Sequence, residues 1–148
     1  MIKFDEYLWR GPRPKTVKEL ADDGFKVIIT LQSGTYDTFF DDEYELDFPW
    51  RYGIREYCIP MDNFSSPHID KVREAVALLR ESQAAGVKTY IHCLHGKDRT
   101  GYVVAAYRML VHGWLYKYAK GEMLHHGFHL FPYACWLPKL KKFEGMKL

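Results

Sequence analysis

Residues 87–101 read VKTYIHCLHGKDRTG, and this stretch decides the fold. Its first part is apolar and β-branched and predicts a strand over Val87–His92. A short polar loop with one glycine follows, and a long helix is predicted from Thr100 to about His112. Cys93 then lies at the carboxyl end of a strand, where open α/β sheets bind their ligands. The sequence therefore predicts an α/β protein whose site lies at Cys93.

The rest of the chain repeats this alternation of strands and helices. Earlier strands are predicted over Tyr7–Gly11, Lys26–Leu31 and Arg55–Ile59. Helices are predicted after Thr16 as N-cap, from Ser66 and Pro67 through Leu79, around Trp114–Leu124 and around Tyr133–Phe143. Strands that alternate with helices favour a parallel sheet. We therefore expect an α/β fold, a mostly parallel central sheet of four to five strands flanked by helices, in one domain over residues 1–148.

Composition limits the classes of protein that fit. Of 148 residues, 47% are hydrophobic and 27% are charged, which is ordinary for a globular domain and argues against disorder. The net charge is +2, but acids cluster at residues 37–47, so the remainder is basic and suits an anionic ligand. No apolar run is long enough to span a bilayer, and no signal peptide is visible. We expect a cytoplasmic protein, with a secreted or periplasmic mature form left open.

Cys93 and Arg99 enclose five residues, and a loop of this length brings its N–H groups and the next helix N-terminus to one point. Such a cradle binds a tetrahedral dianion and stabilises a thiolate beneath it. Cys93 is then a candidate nucleophile, and Arg99 a candidate bidentate clamp for two phosphoryl oxygens. Gly96 allows the backbone to turn. With three cysteines in the chain, at least one thiol is free, which fits a working thiol.

Three other interpretations of this loop fit less well. A Walker A loop requires a glycine where Ile91 stands and a serine or threonine where Asp98 stands. A cysteine-protease dyad requires a histidine facing the thiol, but His92 directly precedes Cys93 on a strand, so the two side chains point to opposite sides. A buried structural cysteine would not explain the glycine, lysine, arginine and threonine around it.

The loop resembles the signature H-C-x5-R-[ST] of the protein-tyrosine-phosphatase superfamily. The matching residues are His92, Cys93, Gly96, Arg99 and Thr100, followed by Gly101. The order of strands and helices is similar over about residues 7–130, and the compact layout resembles the dual-specificity phosphatases. The resemblance implies a cysteine-dependent phosphoric monoester hydrolase that needs neither a metal nor another cofactor.

The resemblance also implies a role for each matching residue. Cys93 would form a phosphocysteine, and Arg99 would hold the phosphate. Thr100 would donate a hydrogen bond to the departing thiolate, and His92 would keep the loop and the thiolate in shape. The substrate would lie against the remaining loop residues, which are Leu94, His95, Gly96, Lys97, Asp98 and Gly101.

Members of this family also use a general acid on a separate loop. The best candidate is Asp62 in residues 59–67, IPMDNFSSP, between a predicted strand and a predicted helix. It lies 31 residues before Cys93, an arrangement that resembles compact dual-specificity phosphatases. A positioned acid contributes about 10²–10⁴-fold to the rate. The alternative is a turn residue whose carboxylate closes an Asx-turn.

Lys97 and His95 add positive charge to the loop and suit a substrate with several phosphates. The string GKDRT is similar to loops of bacterial phosphoinositide phosphatases and shares the lysine found in lipid phosphatases of the tensin-homologue type, and the layout resembles cysteine phytases. We therefore expect inositol polyphosphates or phosphoinositides as substrates. A dual-specificity protein phosphatase is the alternative, followed by an RNA 5′-triphosphatase or a non-catalytic phosphate-binding module. Lys97 could also point to solvent or pair with Asp98, and Asp98 could bind the loop backbone or orient a neighbour.

The remaining polar clusters are weaker indications of function than the Cys-x5-Arg loop. Arg10, Arg13 and Lys15 could line the rim of the site, but Arg10 is better interpreted as a packing residue. The candidate ligands of a zinc site are His125, His126, His129 and Cys135. Such a site is not favoured, because the chain has no Cys-x-x-Cys pair and Gly127 interrupts the helical spacing of the histidines. The lysines near the C-terminus indicate a solvated helix end, not a nucleic-acid site. We expect a monomer with a phosphorylated small molecule, or a phosphoprotein, as its partner.

Overall fold

The computed structural model describes residues 1–33 and 48–148. The five strands of this part are β1 (Ile2–Asp5), β2 (Leu8–Gly11), β3 (Val27–Thr30), β4 (Arg55–Cys58) and β5 (Thr89–His92). Its α-helices are α1 (Val17–Asp22), α2 (Ile69–Ala85), α3 (Arg99–Leu110), α4 (Tyr116–His125), α5 (Leu130–Tyr133) and α6 (Leu137–Lys141). Two 3₁₀ turns cover Pro49–Tyr52 and Ala134–Trp136. The acidic run at residues 37–47 lies outside the described residues.

The five strands form one sheet in the order β1-β2-β5-β3-β4. β2, β5, β3 and β4 run parallel, and only β1 is antiparallel to its neighbour β2. This arrangement confirms the predicted α/β fold with a mostly parallel sheet. Strand β1 was not predicted, because its run of four residues is short and only Phe4 in it is buried.

Apolar side chains are buried on both faces of the sheet. The larger core contains Ile29 and Ile91 from the central strands, packed with α2 and α3. The smaller core contains Leu20 of α1 together with Ile28 and Tyr90. Adjacent residues of one strand point to opposite faces, so β3 and β5 contribute to both cores. Burial on both faces explains why these strands are continuous apolar runs.

Three backbone connections bring the carboxyl ends of the central strands together. Leu31 N donates to His92 O over 2.9 Å, and Ile59 N donates to Thr30 O over the same distance. Met61 N then donates to Leu31 O over 3.0 Å. The segment at residues 59–67, here called the acid loop, is therefore attached beside the loop that follows β5.

Two predicted helix boundaries were wrong. The long helix predicted from Ser66 and Pro67 begins at Ile69, because the side chain of His68 caps it by accepting from Asp70 N. The helix predicted over Tyr133–Phe143 is divided into the 3₁₀ turn and α6, which starts with a proline in its first turn. Among the described residues, no helix has the length and apolar character needed to cross a membrane.

Candidate active site

The Cys-x5-Arg loop (residues 93–99) leaves the end of β5 and enters the N-terminus of α3. Cys93 is a free thiol and only 2% exposed. Gly96 has a φ of +71°, and a Cβ atom there would lie 2.2 Å from the carbonyl carbon of Gly11. Only glycine fits this position, since both the left-handed backbone and the close approach exclude a side chain.

Arg99 and Thr100 begin helix α3, and both are buried. The Arg99 guanidinium donates from Nη1 to the carbonyl oxygen of Met61 over 3.2 Å, so it contacts the acid loop directly. The Thr100 hydroxyl has no hydrogen-bond partner among the residues that the structure describes. A buried hydroxyl without a partner is a donor that remains free for a bound anion or a thiolate.

His92 is fixed from the opposite face of the sheet. Its Nε2 lies 3.0 Å from Thr30 Oγ1, and the Thr30 hydroxyl donates to Glu56 over 2.8 Å. On its other side, Nδ1 lies 3.3 Å from the carbonyl oxygen of Cys93. Burial lowers the pKa of His92 to about 4, so the ring is neutral at pH 7. Sequence reasoning missed Thr30 and Glu56, because the contact of Thr30 with both Glu56 and His92 depends on strand register.

Asp98 orients a neighbour instead of pairing with Lys97. Its carboxylate accepts from His129 N over 2.8 Å and lies 3.0 Å from His129 Nδ1. Lys97 is exposed, and its aliphatic stem covers Gly127, where a Cβ atom would lie 3.1 Å from Lys97 Cδ. The turn between α4 and α5 therefore positions both residues. His95 is also exposed at this end of the loop.

Asp62 lies on the acid loop and is exposed. Its Oδ1 accepts a hydrogen bond from Phe64 N over 2.7 Å, which is the Asx-turn expected as the alternative to a catalytic role. The preceding residue, Met61, binds Arg99 through its carbonyl oxygen. Asp62 therefore closes a local turn and follows directly the residue that contacts Arg99, and its role as the acid stays a prediction.

Arg10 does not lie at the rim of the site. It is 1% exposed, and its Nη2 donates to the carbonyl oxygen of Gly96 over 3.0 Å. Leu94, also in the loop, accepts from Arg13 N over 3.1 Å. Within the described ranges, no three His, Cys, Asp or Glu side chains form a group that could hold a metal ion.

A Cys-x5-Arg loop between a parallel strand and a helix, on this sheet, defines the class of protein-tyrosine-phosphatase-type phosphatases. The model of one family in that class, described as "Polymorphic toxin system, DSP-PTPase phosphatase", matches residues 6–113. The chain therefore belongs to this family, which confirms the predicted superfamily and its dual-specificity-type fold.

Two curated relatives show the extent of the sequence similarity. The dual specificity protein phosphatase TpbA of Pseudomonas aeruginosa is 43% identical over 65 residues, which cover 41% of this chain and 30% of TpbA. The human phosphatidylglycerophosphatase and protein-tyrosine phosphatase 1 is 27% identical over 110 residues, which cover 69% of this chain and 50% of the relative. The chain thus spans half or less of the length of these relatives.

Solved structures with the same fold cover nearly the whole chain. Tk-PTP in a mutant form has a TM-score of 0.78 at 24% identity, covering 97% of this chain and 93% of that one. PTPMT1 in complex with PI(5)P has a TM-score of 0.75 at 23% identity, covering 95% and 92%. The core catalytic domain of the PP-IP phosphatase SIW14 from S. cerevisiae has a TM-score of 0.73 at 22% identity, covering 99% and 84%. These likenesses support the fold.

Proposed function

We propose that this protein is a phosphomonoesterase that works through a phosphocysteine and acts on inositol polyphosphates or phosphoinositides. The observation that carries the choice of substrate is the position of Lys97. Its side chain is exposed within the Cys-x5-Arg loop and makes no ion pair with any described residue, while Asp98 is turned toward His129. An ammonium group so placed suits a second phosphate while the first occupies the loop.

The first chemical step transfers the phosphoryl group to the protein. The Cys93 thiolate attacks phosphorus in line, so that an S–P bond forms as the P–O bond to the leaving group breaks. Asp62 gives its proton to the departing oxygen, which leaves as an alcohol. Arg99 and the loop N–H groups hold the three equatorial oxygens, where charge is spread in the transition state.

The second step releases phosphate and restores the enzyme. Water attacks the phosphocysteine, and the Asp62 carboxylate takes up the proton that the water loses. The S–P bond breaks, and the electron pair returns to sulfur as a thiolate. The Thr100 hydroxyl has no hydrogen-bond partner among the described residues and is available to donate to that thiolate. Such a hydrogen bond makes the thiolate a better leaving group.

The structural neighbours support the same substrate class. One of them, PTPMT1, is in complex with PI(5)P, and another, SIW14, is a PP-IP phosphatase. Both names concern phosphorylated inositols. The exposed imidazole of His95 lies in the same loop as Lys97 and can also contact a substrate phosphate.

A dual-specificity protein phosphatase is the second candidate, favoured by the similarity to TpbA. A substrate panel separates the candidates: inositol hexakisphosphate, a short-chain phosphoinositide, a phosphotyrosine peptide and triphosphorylated RNA. We expect the highest kcat/KM on one of the first two. A clear preference for the peptide or the RNA would reject the proposed substrate, and no turnover of any of them would favour a phosphate-binding module.

The variant Lys97→Met tests the proposed second contact on the same panel. We expect kcat/KM to fall about tenfold on a polyphosphorylated inositol and to change little on p-nitrophenyl phosphate, which has one phosphate. Lys142→Met is the matched control, because Lys142 is an exposed lysine just after α6. Equal losses on both substrates would remove Lys97 from substrate selection.

A further inference from the structure

The turn after β2 forms the support on which the Cys-x5-Arg loop rests. Besides the close contact of Gly96 with Gly11, a Cβ at Gly96 would lie 2.6 Å from Pro12 N. The Pro12 carbonyl is fixed from the sheet side by the hydroxyl of Tyr90. Arg10 in β2 donates to Gly96 O, and Arg13 N in the turn donates to Leu94 O. The end of β2 and the turn after it therefore hold the first half of the loop.

Arg10 differs from the other residues that hold the loop, because its buried guanidinium has few hydrogen-bond partners among the described residues. The structure describes one hydrogen-bond partner for its guanidinium, the Gly96 carbonyl, while the buried Nε and Nη1 have none among the described residues. A Cβ atom on Gly101, at the start of α3, would lie 3.3 Å from Nη2, so the guanidinium passes close to the helix N-terminus. It therefore lies behind the loop, on the side away from solvent.

A buried guanidinium with a single neutral partner is costly unless a negative group compensates it. Burial lowers the pKa of Arg10, and the negative charges of Cys93 and Glu122 act in the opposite direction. Glu122 is already bound by Arg108, whose Nε lies 3.0 Å from its Oε1. Cys93, which begins the loop that Arg10 holds through Gly96 O, is thus the other anion that acts on Arg10.

We propose that Arg10 is a positioning residue, which holds the Cys-x5-Arg loop through Gly96 O and favours the thiolate form of Cys93 from behind the site. The proposal rests on the proposed function, in which Cys93 is the nucleophile. The side chain touches neither substrate nor the reacting atoms and acts through the loop. Sequence reasoning could not separate this role from packing, because only the fold brings β2 under residue 96.

Other titratable or charged groups lie near the Cys-x5-Arg loop, and the test must hold them constant. Arg99 approaches from α3, and Asp98 precedes it in the loop. Tyr133 comes from α5, and its pKa is raised, chiefly by burial, so it is neutral in the working range. His92 lies on the opposite face and is neutral at pH 7.

The decisive variants are Arg10→Met, which removes the charge at similar length, and Arg10→Lys, which keeps it without the planar donor. Arg80→Met is the control, because Arg80 is exposed on α2. The measurement is the rate of alkylation of Cys93 by iodoacetamide against pH, with each cysteine followed by peptide mass spectrometry. Cys135, an exposed thiol, serves as an internal reference in every sample.

For Arg10→Met we expect the midpoint of Cys93 alkylation to move up by about one pH unit, which lowers the rate below the midpoint about tenfold. For Arg10→Lys we expect an unmoved midpoint but a loss of about 10- to 100-fold in kcat on p-nitrophenyl phosphate, because the loop is displaced. Arg80→Met should behave as the unmodified protein in both assays.

An unmoved midpoint in a folded Arg10→Met variant would overturn the electrostatic part of the proposal. If Arg10→Met fails to fold, Arg10→Lys provides the test. A shift of about one pH unit in its midpoint of Cys93 alkylation, or an unchanged kcat on p-nitrophenyl phosphate, would overturn the proposal. These results are distinct from failure of the proposed function, which would show itself as turnover in Cys93→Ser whatever Arg10 does.

Discussion

Acidification should destabilise this protein through His92, whose neutral ring is buried between Thr30 and the Cys93 carbonyl. The pKa of His92 is about 4 in the folded protein, against an ordinary value of 6.5. A histidine with a lowered folded pKa contributes its full stability above the unfolded pKa and loses it as the pH falls toward the folded value. Between pH 7 and pH 4 the expected loss of unfolding free energy is about 3 kcal/mol, at 1.36 kcal/mol for each pH unit.

Urea denaturation of the unmodified protein and of His92→Gln, at both pH values, measures this contribution. Other titrating groups are common to the two proteins, so the difference between their pH dependences isolates His92. We expect the unmodified protein to lose about 3 kcal/mol more than the variant between pH 7 and pH 4. Equal losses would refute the conclusion that His92 is buried in its neutral form.

Three further variants test the site. Cys93→Ser should abolish turnover and still bind inorganic phosphate by calorimetry, and substantial residual turnover would exclude Cys93 as the nucleophile. Asp62→Asn should lower kcat on an inositol phosphate by about 10²-fold or more, but much less on p-nitrophenyl phosphate, whose leaving group needs little protonation, and equal losses would point to another acid. Gly96→Ala should lower the unfolding free energy by at least about 2 kcal/mol, from left-handed strain plus the contact with Gly11. Gly113→Ala, with the same φ of +71° and nothing within 4 Å, is its control in denaturant titrations, and equal losses would contradict the predicted clash.

Local sequence signals were enough to predict where some helices begin and end. The helix start at Thr16 was predicted from its capping box, and Glu19 N donates to Thr16 Oγ1 over 3.2 Å. The end of α2 follows a local rule of the same kind, since the residue after it is Gly86, whose φ is +68°. These features depend on neighbours within one turn, so the chain itself encodes them.

Contacts between distant segments could not be predicted. Asp98 and His129 are 31 positions apart, and Arg10 and Gly96 are 86 apart. Nothing in either local sequence requires such a partner, because a contact such as that between Asp98 and His129, or a buried arginine, forms only where the fold brings two surfaces together. The irregular segment from Leu130 to Lys141 was not predicted either. Inside α5, Phe131 has non-helical φ and ψ.

The turn after α4 touches two residues of the Cys-x5-Arg loop without belonging to it. Gly127 lies under the stem of Lys97, and His129 holds the carboxylate of Asp98. A change at position 127 would thus redirect the ammonium group while every residue of the signature stayed in place. In the proposed function, a turn about 34 residues downstream of Cys93 therefore influences substrate selectivity from outside the signature.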